Sequence, residues 1–183
     1  MTLNDLHDLQ VLVVDDDREM VDILGKHLHR MGYEVATALG GAEALLLIDQ
    51  GFRPALLLAD VRMPGMDGRT LMTEARRRLP ELRVVFMTAF GAVADAVQAM
   101  QEGAYWYLTK PFKVDEAAVI LRRAAAEVSM GRRLERLERT LRIEYSPERY
   151  LGRSPLAQKV RSELARAAAL RAPVLIAGRT GTG

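Results

Sequence analysis

Four places in the chain hold side chains able to do chemistry, and each follows a short apolar run. Asp15, Asp16 and Asp17 come after Val11-Leu12-Val13-Val14, and Asp60 comes after Ala55-Leu56-Leu57-Leu58-Ala59. Thr88 comes after Val84-Val85-Phe86-Met87, and Lys110 closes Tyr105-Trp106-Tyr107-Leu108-Thr109-Lys110. Three or four carboxylates brought to one mouth repel one another unless a pKa rises or a divalent cation is held. Hard oxygen donors at a half-open site suit magnesium, which keeps some of its waters. Acids, metal, hydroxyl and lysine together fit phosphoryl transfer. A carboxylate already ionised at neutral pH accepts a phosphoryl group as an acyl phosphate, magnesium neutralises the phosphoryl oxygens, and Thr88 and Lys110 bind the product. Each acid alone has a plainer use, and Asp17 stands where it would cap the following helix.

For these groups to meet, the runs that carry them must lie side by side. Val11–Val14 and Ala55–Ala59 read as fully buried parallel strands, with further strands at Val84–Met87 and Tyr105–Leu108 and a weaker one at Tyr33–Thr37. Helical periodicity fills the intervals, roughly 17–31, 41–50, 67–79 and 91–102, and Gly32, Gly51 and Gly103 sit where C-terminal caps are expected. Strict alternation of five strands with helices predicts an α/β fold: a doubly wound, five-stranded parallel sheet with helices on both faces. In such a sheet the binding crevice lies at the carboxyl ends of the strands, where all four candidate groups fall.

Composition agrees with a globular core and excludes several classes. The chain has 183 residues, 49% hydrophobic and 27% charged, as expected of a domain of ordinary size with an extension. It has no Cys, which removes disulfide scaffolds, thiolate nucleophiles and Cys-ligated zinc. Its longest apolar stretches are far short of the roughly 20 residues that span a bilayer, and the first ten residues carry neither a basic region nor an apolar one that would direct secretion. A cytoplasmic protein without membrane contact is the expectation. Residues 1–112 hold 11 Lys and Arg against 16 Asp and Glu, and residues 113–183 hold 15 against 8, so a net −5 front joins a net +7 back. A basic back could serve nucleic acid; an Arg-rich solvated helix is the simpler reading.

After Pro111 the helical pattern continues to about Leu141, but its apolar register changes. Val114, Ala118, Leu121, Ala125 and Val128 form one stripe, and Met130, Leu134, Leu137 and Leu141 form another. The first half is expected to pack on the sheet and the second to face another partner, the same helix of a second copy. Ser146-Pro147-Glu148 then breaks the helix. Ser154-Pro155 makes an N-cap and N1 pair for a helix running from Leu156 to Leu170, and Pro173–Ala177 reads as another buried strand.

These motifs together resemble the receiver domain of two-component response regulators. Val13-Val14-Asp15-Asp16-Asp17, Asp60-Val61-Arg62-Met63-Pro64-Gly65-Met66-Asp67-Gly68, Thr88-Ala89 and Lys110-Pro111-Phe112 agree in order, spacing and identity over about residues 9–128. The resemblance implies that Asp60 is the phosphorylated aspartate and that Asp15 and Asp16 hold magnesium with Asp60 and the backbone carbonyl of Arg62. It further implies that Thr88 and Lys110 bind the phosphoryl group, that the bond before Pro111 is cis, and that Tyr107 is the switch aromatic. The donor would be a cognate histidine kinase.

The tail resembles the start of the ATPase domain of NtrC-class sigma-54 activators, over Leu151-Gly152-Arg153-Ser154-Pro155 and Ala172–Gly183. Gly178, Thr180, Gly181, Thr182 and Gly183 read as a P-loop cut off before its lysine, where backbone N–H groups would cradle the phosphates of ATP. Arg179 stands where that class usually has an acid. The resemblance implies three parts: a receiver at 9–128, a helical dimerisation linker at 129–148 and an ATPase fragment at 149–183. ATP binding, sigma-54 RNA polymerase and promoter DNA would be matters for the longer parent protein.

Two other readings compete with this one. A hydrolase with an aspartyl-phosphate intermediate would generally place a second acid two residues after the nucleophile, where this chain has Arg62. A flavodoxin-like cofactor binder would want Ser, Thr and Gly after the first strand, and Asp15-Asp16-Asp17 would repel its phosphate. The remaining polar candidates have plainer places: His7, His27 and His29 have no metal-binding spacing and are expected at the surface or its boundary, and Arg76-Arg77-Arg78 and Arg132-Arg133 are expected on solvated helix faces. Trp106 is expected in the core.

Overall fold

The computed structural model describes residues 9–89, 98, 100–144, 154–170 and 175. The chain divides into two compact units, Met1–Arg132 and Arg133–Gly183.

The first unit is built on five strands: β1 (Gln10–Val14), β2 (Glu34–Ala38), β3 (Leu56–Asp60), β4 (Arg83–Ala89) and β5 (Trp106–Lys110). All pair in parallel, in the order β2-β1-β3-β4-β5. Between them run α1 (Arg18–Arg30), α2 (Gly41–Asp49) and α3 (Gly68–Arg78), and α4 (Val114–Glu144) follows β5. Residues 98, 100 and 101 are helical, and residues 91–97 and 99 of the helix expected at 91–102 lie outside the described residues. Gly32 and Gly51 follow α1 and α2 with φ of 95° and 108°, a conformation only glycine takes without strain.

Alternation along the strands splits the core into two layers. Leu12, Val14, Leu57, Ala59, Val84 and Phe86 pack with Ala44, Ile48, Leu71 and Ala75 of α2 and α3. Val11, Val13, Leu56, Leu58, Val85 and Met87 pack with Leu24 and Leu28 of α1 and Ala117, Leu121, Ala124 and Ala125 of α4. The central strands are therefore buried on both faces, which is why they read as unbroken apolar runs.

The strand order turns at β1. From there β2 lies on one side and β3 on the other, so the carboxyl ends of β1 and β3 border the crevice. Val14 is in register with Ala59, which sets the next residues, Asp15 and Asp60, beside each other.

On α4 the first apolar stripe is buried or half-buried, whereas Met130, Leu134, Leu137 and Leu141 are 74, 58, 54 and 52% exposed. The change of register expected from the sequence is thus a change from packed to unpacked. In the second unit α5 (Pro155–Leu170) begins as expected, the Ala157 amide donating to Ser154 Oγ at 3.2 Å. The break at residues 146–148 and the loop residues Gly178, Thr180, Gly181, Thr182 and Gly183 lie outside the described residues, as does His7. No described helix is long and apolar enough to cross a membrane.

Three expectations need correction. Trp106 is 42% exposed, because β5 is an edge strand paired only with β4. Arg76 is half-buried: its Nε donates to Leu82 O and its Nη2 to Gly103 O at 2.8 Å, stitching α3 to the turns before β4 and β5. Leu175, at the centre of the run read as a buried strand, is 94% exposed and in no strand. Among the described residues its unit contains no other strand to pair with.

Candidate functional site

The ends of β1, β3 and β5 bring three charged groups into contact. Lys110 Nζ donates to Asp60 Oδ2 at 2.6 Å and to Asp15 Oδ2 at 2.7 Å. The other oxygens of both acids take backbone amides: Asp17 N–H donates to Asp15 Oδ1 at 3.0 Å, and Arg62 N–H donates to Asp60 Oδ1 at 3.1 Å. Every carboxylate oxygen of this pair is therefore oriented.

Asp16 completes the cluster. Asp15, Asp16 and Asp60 each offer an oxygen, all within 4.8 Å of one another, with Asp15 buried, Asp60 half-buried and Asp16 exposed. Three carboxylates share one ammonium, and a hard divalent cation matches the donor type. The protonation balance carries the same strain. Burial raises the Asp15 pKa despite the opposing hydrogen bonds from Lys110 and Asp17 and the charge of Lys110, and the neighbouring Asp60 charge raises it further. Lys110 is pulled down by burial, but its hydrogen bonds to Asp15 and Asp60 outweigh that and the net shift is upward.

Local structure explains the placement. Asp17 caps α1, accepting from Glu19 N–H at 2.9 Å and Met20 N–H at 3.3 Å, and so faces away from the cluster. Asp67 caps α3, accepting from Thr70 N–H at 2.8 Å, and those hydrogen bonds to Thr70 hold its carboxyl below the usual range. Gly68 follows, with its amide on Val61 O at 3.0 Å, and a Cβ there would overlap the carbonyl of Asp60. The start of α3 is thus pressed against the backbone that carries Asp60. Beside it lies an open cleft of about 580 Å³ lined by Asp16, Val61, Arg62, Met63, Pro64, Asp67 and Arg69.

Thr88 is buried near the end of β4, one residue past the partner of Asp60. Alternation puts it on the same sheet face as Phe86, which is in register with the half-buried Tyr107. Among the described residues it makes no hydrogen bond to Asp60 or Lys110. The Lys110–Pro111 bond is cis, as the resemblance implies. The role of Gly68 and the two carboxylate partners of Lys110 were missed in the sequence; a glycine directly after a capping Asp was the available signal for the first.

Known proteins share this sequence pattern and fold. The profile of the response regulator receiver domain family matches residues 11–122. The C4-dicarboxylate transport transcriptional regulatory protein DctD of Pseudomonas aeruginosa is 38% identical over 179 residues, 95% of this chain and 38% of that protein. The DNA-binding transcriptional regulator NtrC of Escherichia coli K12 is 36% identical over 94% of this chain and 36% of its own length. The crystal structure of the NtrX receiver domain from Brucella abortus is 35% identical with a TM-score of 0.60, covering 63% of this chain and 98% of that one. The structure of NtrX with ATP is 33% identical with a TM-score of 0.63, covering 87% of this chain and 34% of that one. The chain spans less than two fifths of the curated relatives named here. With its strand order, its acid cluster and residues 11–122 all in agreement, the chain belongs to the response regulator receiver domain family.

Proposed function

We propose that Asp60 is the phosphoacceptor and that Asp15, Asp16, Asp60 and the backbone carbonyl of Arg62 hold magnesium. The observation that carries this reading is the three-carboxylate cluster set against a single ammonium. A phosphohistidine of a cognate kinase is the donor: an Asp60 oxygen attacks phosphorus, the N–P bond breaks, and the imidazole nitrogen leaves with the bond's electron pair. Magnesium, when bound, offsets negative charge on the phosphoryl oxygens. Arg62 N–H orients the attacking carboxylate, and Lys110 moves from pairing with Asp60 to pairing with the phosphoryl group.

The new anion offers the Thr88 hydroxyl a charge-assisted acceptor, and Tyr107, on the same face, turns into the space vacated. The exposed stripe of α4 pairs two copies, and receiver state acts through that pairing. In the longer parent protein this pairing holds two sigma-54-activating ATPase domains together, with residues 149–183 as the start of one and the P-loop as its ATP site. An aspartyl-phosphate hydrolase is not favoured, since Arg62 occupies the position of its second acid.

Intact-mass measurement after incubation with acetyl phosphate and magnesium tests the assignment. One phosphoryl group is expected on the wild-type chain and none on Asp60→Asn; a stable acyl phosphate elsewhere in that variant overturns it. Beryllofluoride in place of phosphate is expected to change the Tyr107 rotamer in an NMR or crystal comparison, and an unchanged ring rejects the coupling to Thr88.

A further inference from the structure

Glu127 lies where the two stripes of α4 meet. At about 100° per residue, Met130, Leu134, Leu137 and Leu141 fall within an arc of about 60°, roughly half a turn from the buried Leu121 and Ala125. Glu127 is three residues before Met130 and seven before Leu134, so the heptad that runs through the exposed stripe assigns it the next seam position back. A carboxylate there would meet its own copy across a two-fold axis, a like-charge opposition at the first layer of the pair.

The structure keeps it elsewhere. Tyr105 Oη donates to Glu127 Oε1 at 2.8 Å, and Arg123 Nε lies 3.8 Å from the same oxygen. Tyr105 is itself fixed: its amide donates to Val84 O at 2.8 Å, and its ring packs with the core layer of α1 and α4. Burial and the bond to Glu127 raise the hydroxyl pKa, so the phenol remains a donor at neutral pH.

We propose that the Tyr105–Glu127 hydrogen bond sets where pairing between two copies of this chain begins, by holding the Glu127 carboxylate on the receiver and out of the seam. This rests on the proposed pairing of α4. The interaction surface then consists of Met130, Leu134, Leu137 and Leu141 on each copy, bounded by Glu127. Because Tyr105 leads directly into β5, which ends at Lys110, the start of the seam is anchored to a strand of the phosphoacceptor site.

Sedimentation equilibrium of the full chain tests it, on wild type, Tyr105→Phe and Tyr105→Phe with Glu127→Leu. Removing the hydroxyl releases the Glu127 carboxylate to face its own copy at the first seam layer, so Tyr105→Phe is expected to weaken the dimer about tenfold or more. Adding Glu127→Leu supplies an apolar seam layer and is expected to restore at least wild-type affinity. A wild-type dimer that Tyr105→Phe leaves within about twofold overturns this proposal alone, as does a weakened dimer that Glu127→Leu fails to rescue. A wild-type chain that stays monomeric at high micromolar concentration overturns the pairing itself and this proposal with it. Phenylalanine keeps the ring in its core position, and far-ultraviolet circular dichroism of each variant shows whether a change in association reflects unfolding.

Discussion

The backbone of Gly68 presses so closely on Asp60 that no side chain fits between them: a Cβ on Gly68 would overlap the Asp60 carbonyl oxygen and stand 3.1 Å from Val61 Cα. Both neighbours are backbone, so neither can swing away. Gly68→Ala is therefore expected to displace the β3–α3 connection, lower stability by about 1 to 3 kcal/mol and weaken magnesium binding. Gly131 provides the contrast, since nothing lies within 4 Å of its Cβ position in the exposed part of α4. Gly131→Ala is expected to raise helix stability by about 1 kcal/mol and leave magnesium binding alone. Urea denaturation and magnesium titration check both; equal effects from the two substitutions would remove Gly68 from the site's architecture.

Asp16 and Asp17 are adjacent, both exposed and alike in charge, yet they point to different tasks. Asp16 offers its oxygen to the cluster with Asp15 and Asp60, and Asp17 is spent on the amides of Glu19 and Met20. Asp16→Ala is expected to weaken magnesium binding at least tenfold with little loss of stability. Asp17→Ala is expected to cost about 1 kcal/mol as a lost cap and to keep its magnesium affinity. Calorimetric titration paired with thermal melts separates the two, and an exchange of phenotypes rejects the assignment.

Tyr33 carries a different kind of signal. Its ring is buried and its hydroxyl has no hydrogen-bond partner among the described residues, and burial pushes its pKa up to about 12, against a smaller lowering by the Arg122 charge. A pKa raised by folding stabilises fully below the unfolded value of about 10 and is lost as pH rises toward the folded value. Stability is expected to fall between pH 10 and 12 in the wild type and to fall less in Tyr33→Phe. At pH 7 the same variant is expected to be neutral or more stable, because an unpartnered polar atom leaves the core. Urea midpoints at pH 7 and pH 11 test the sign of both changes.

How far the molecule was legible depended on whether a feature is periodic. Val11–Val14 and Leu56–Ala59 could be read as strands because burial on both faces leaves an unbroken apolar run, and the acids after them mark the crevice edge. The bridging of Asp15 and Asp60 by Lys110 was not legible, because it depends on the register that sets Asp15 beside Asp60. Trp106 was misread because hydrophobic character says nothing about whether a strand is central or at an edge. Arg76 was misplaced on a solvated face, and Tyr105 was passed over, for a related reason: each reaches across the fold to a group 27 or 22 residues away, Gly103 and Glu127, with no local pattern to announce it.

The exposed stripe of α4 leads to a prediction about orientation as well as association. Met130 and Leu137 take one core position of a heptad and Leu134 and Leu141 the other, which leaves Arg133 and Glu138 on the flanks of the seam. In a parallel pair, Arg133 of one helix lies against Glu138 of the other, giving two opposite-charge contacts; in an antiparallel pair these positions face like charges. Parallel pairing is expected. Burying a leucine contributes about 2 kcal/mol, so Leu134→Asp with Leu137→Asp is expected to yield a folded monomer that still labels on Asp60. The charge argument has its own test. Arg133→Glu is expected to weaken the dimer by opposing Glu138, and Arg133→Glu with Glu138→Arg is expected to recover most of the loss, since the pair is only reversed. Sedimentation of the four chains decides it, and a double variant as weak as Arg133→Glu alone would rule out the parallel register.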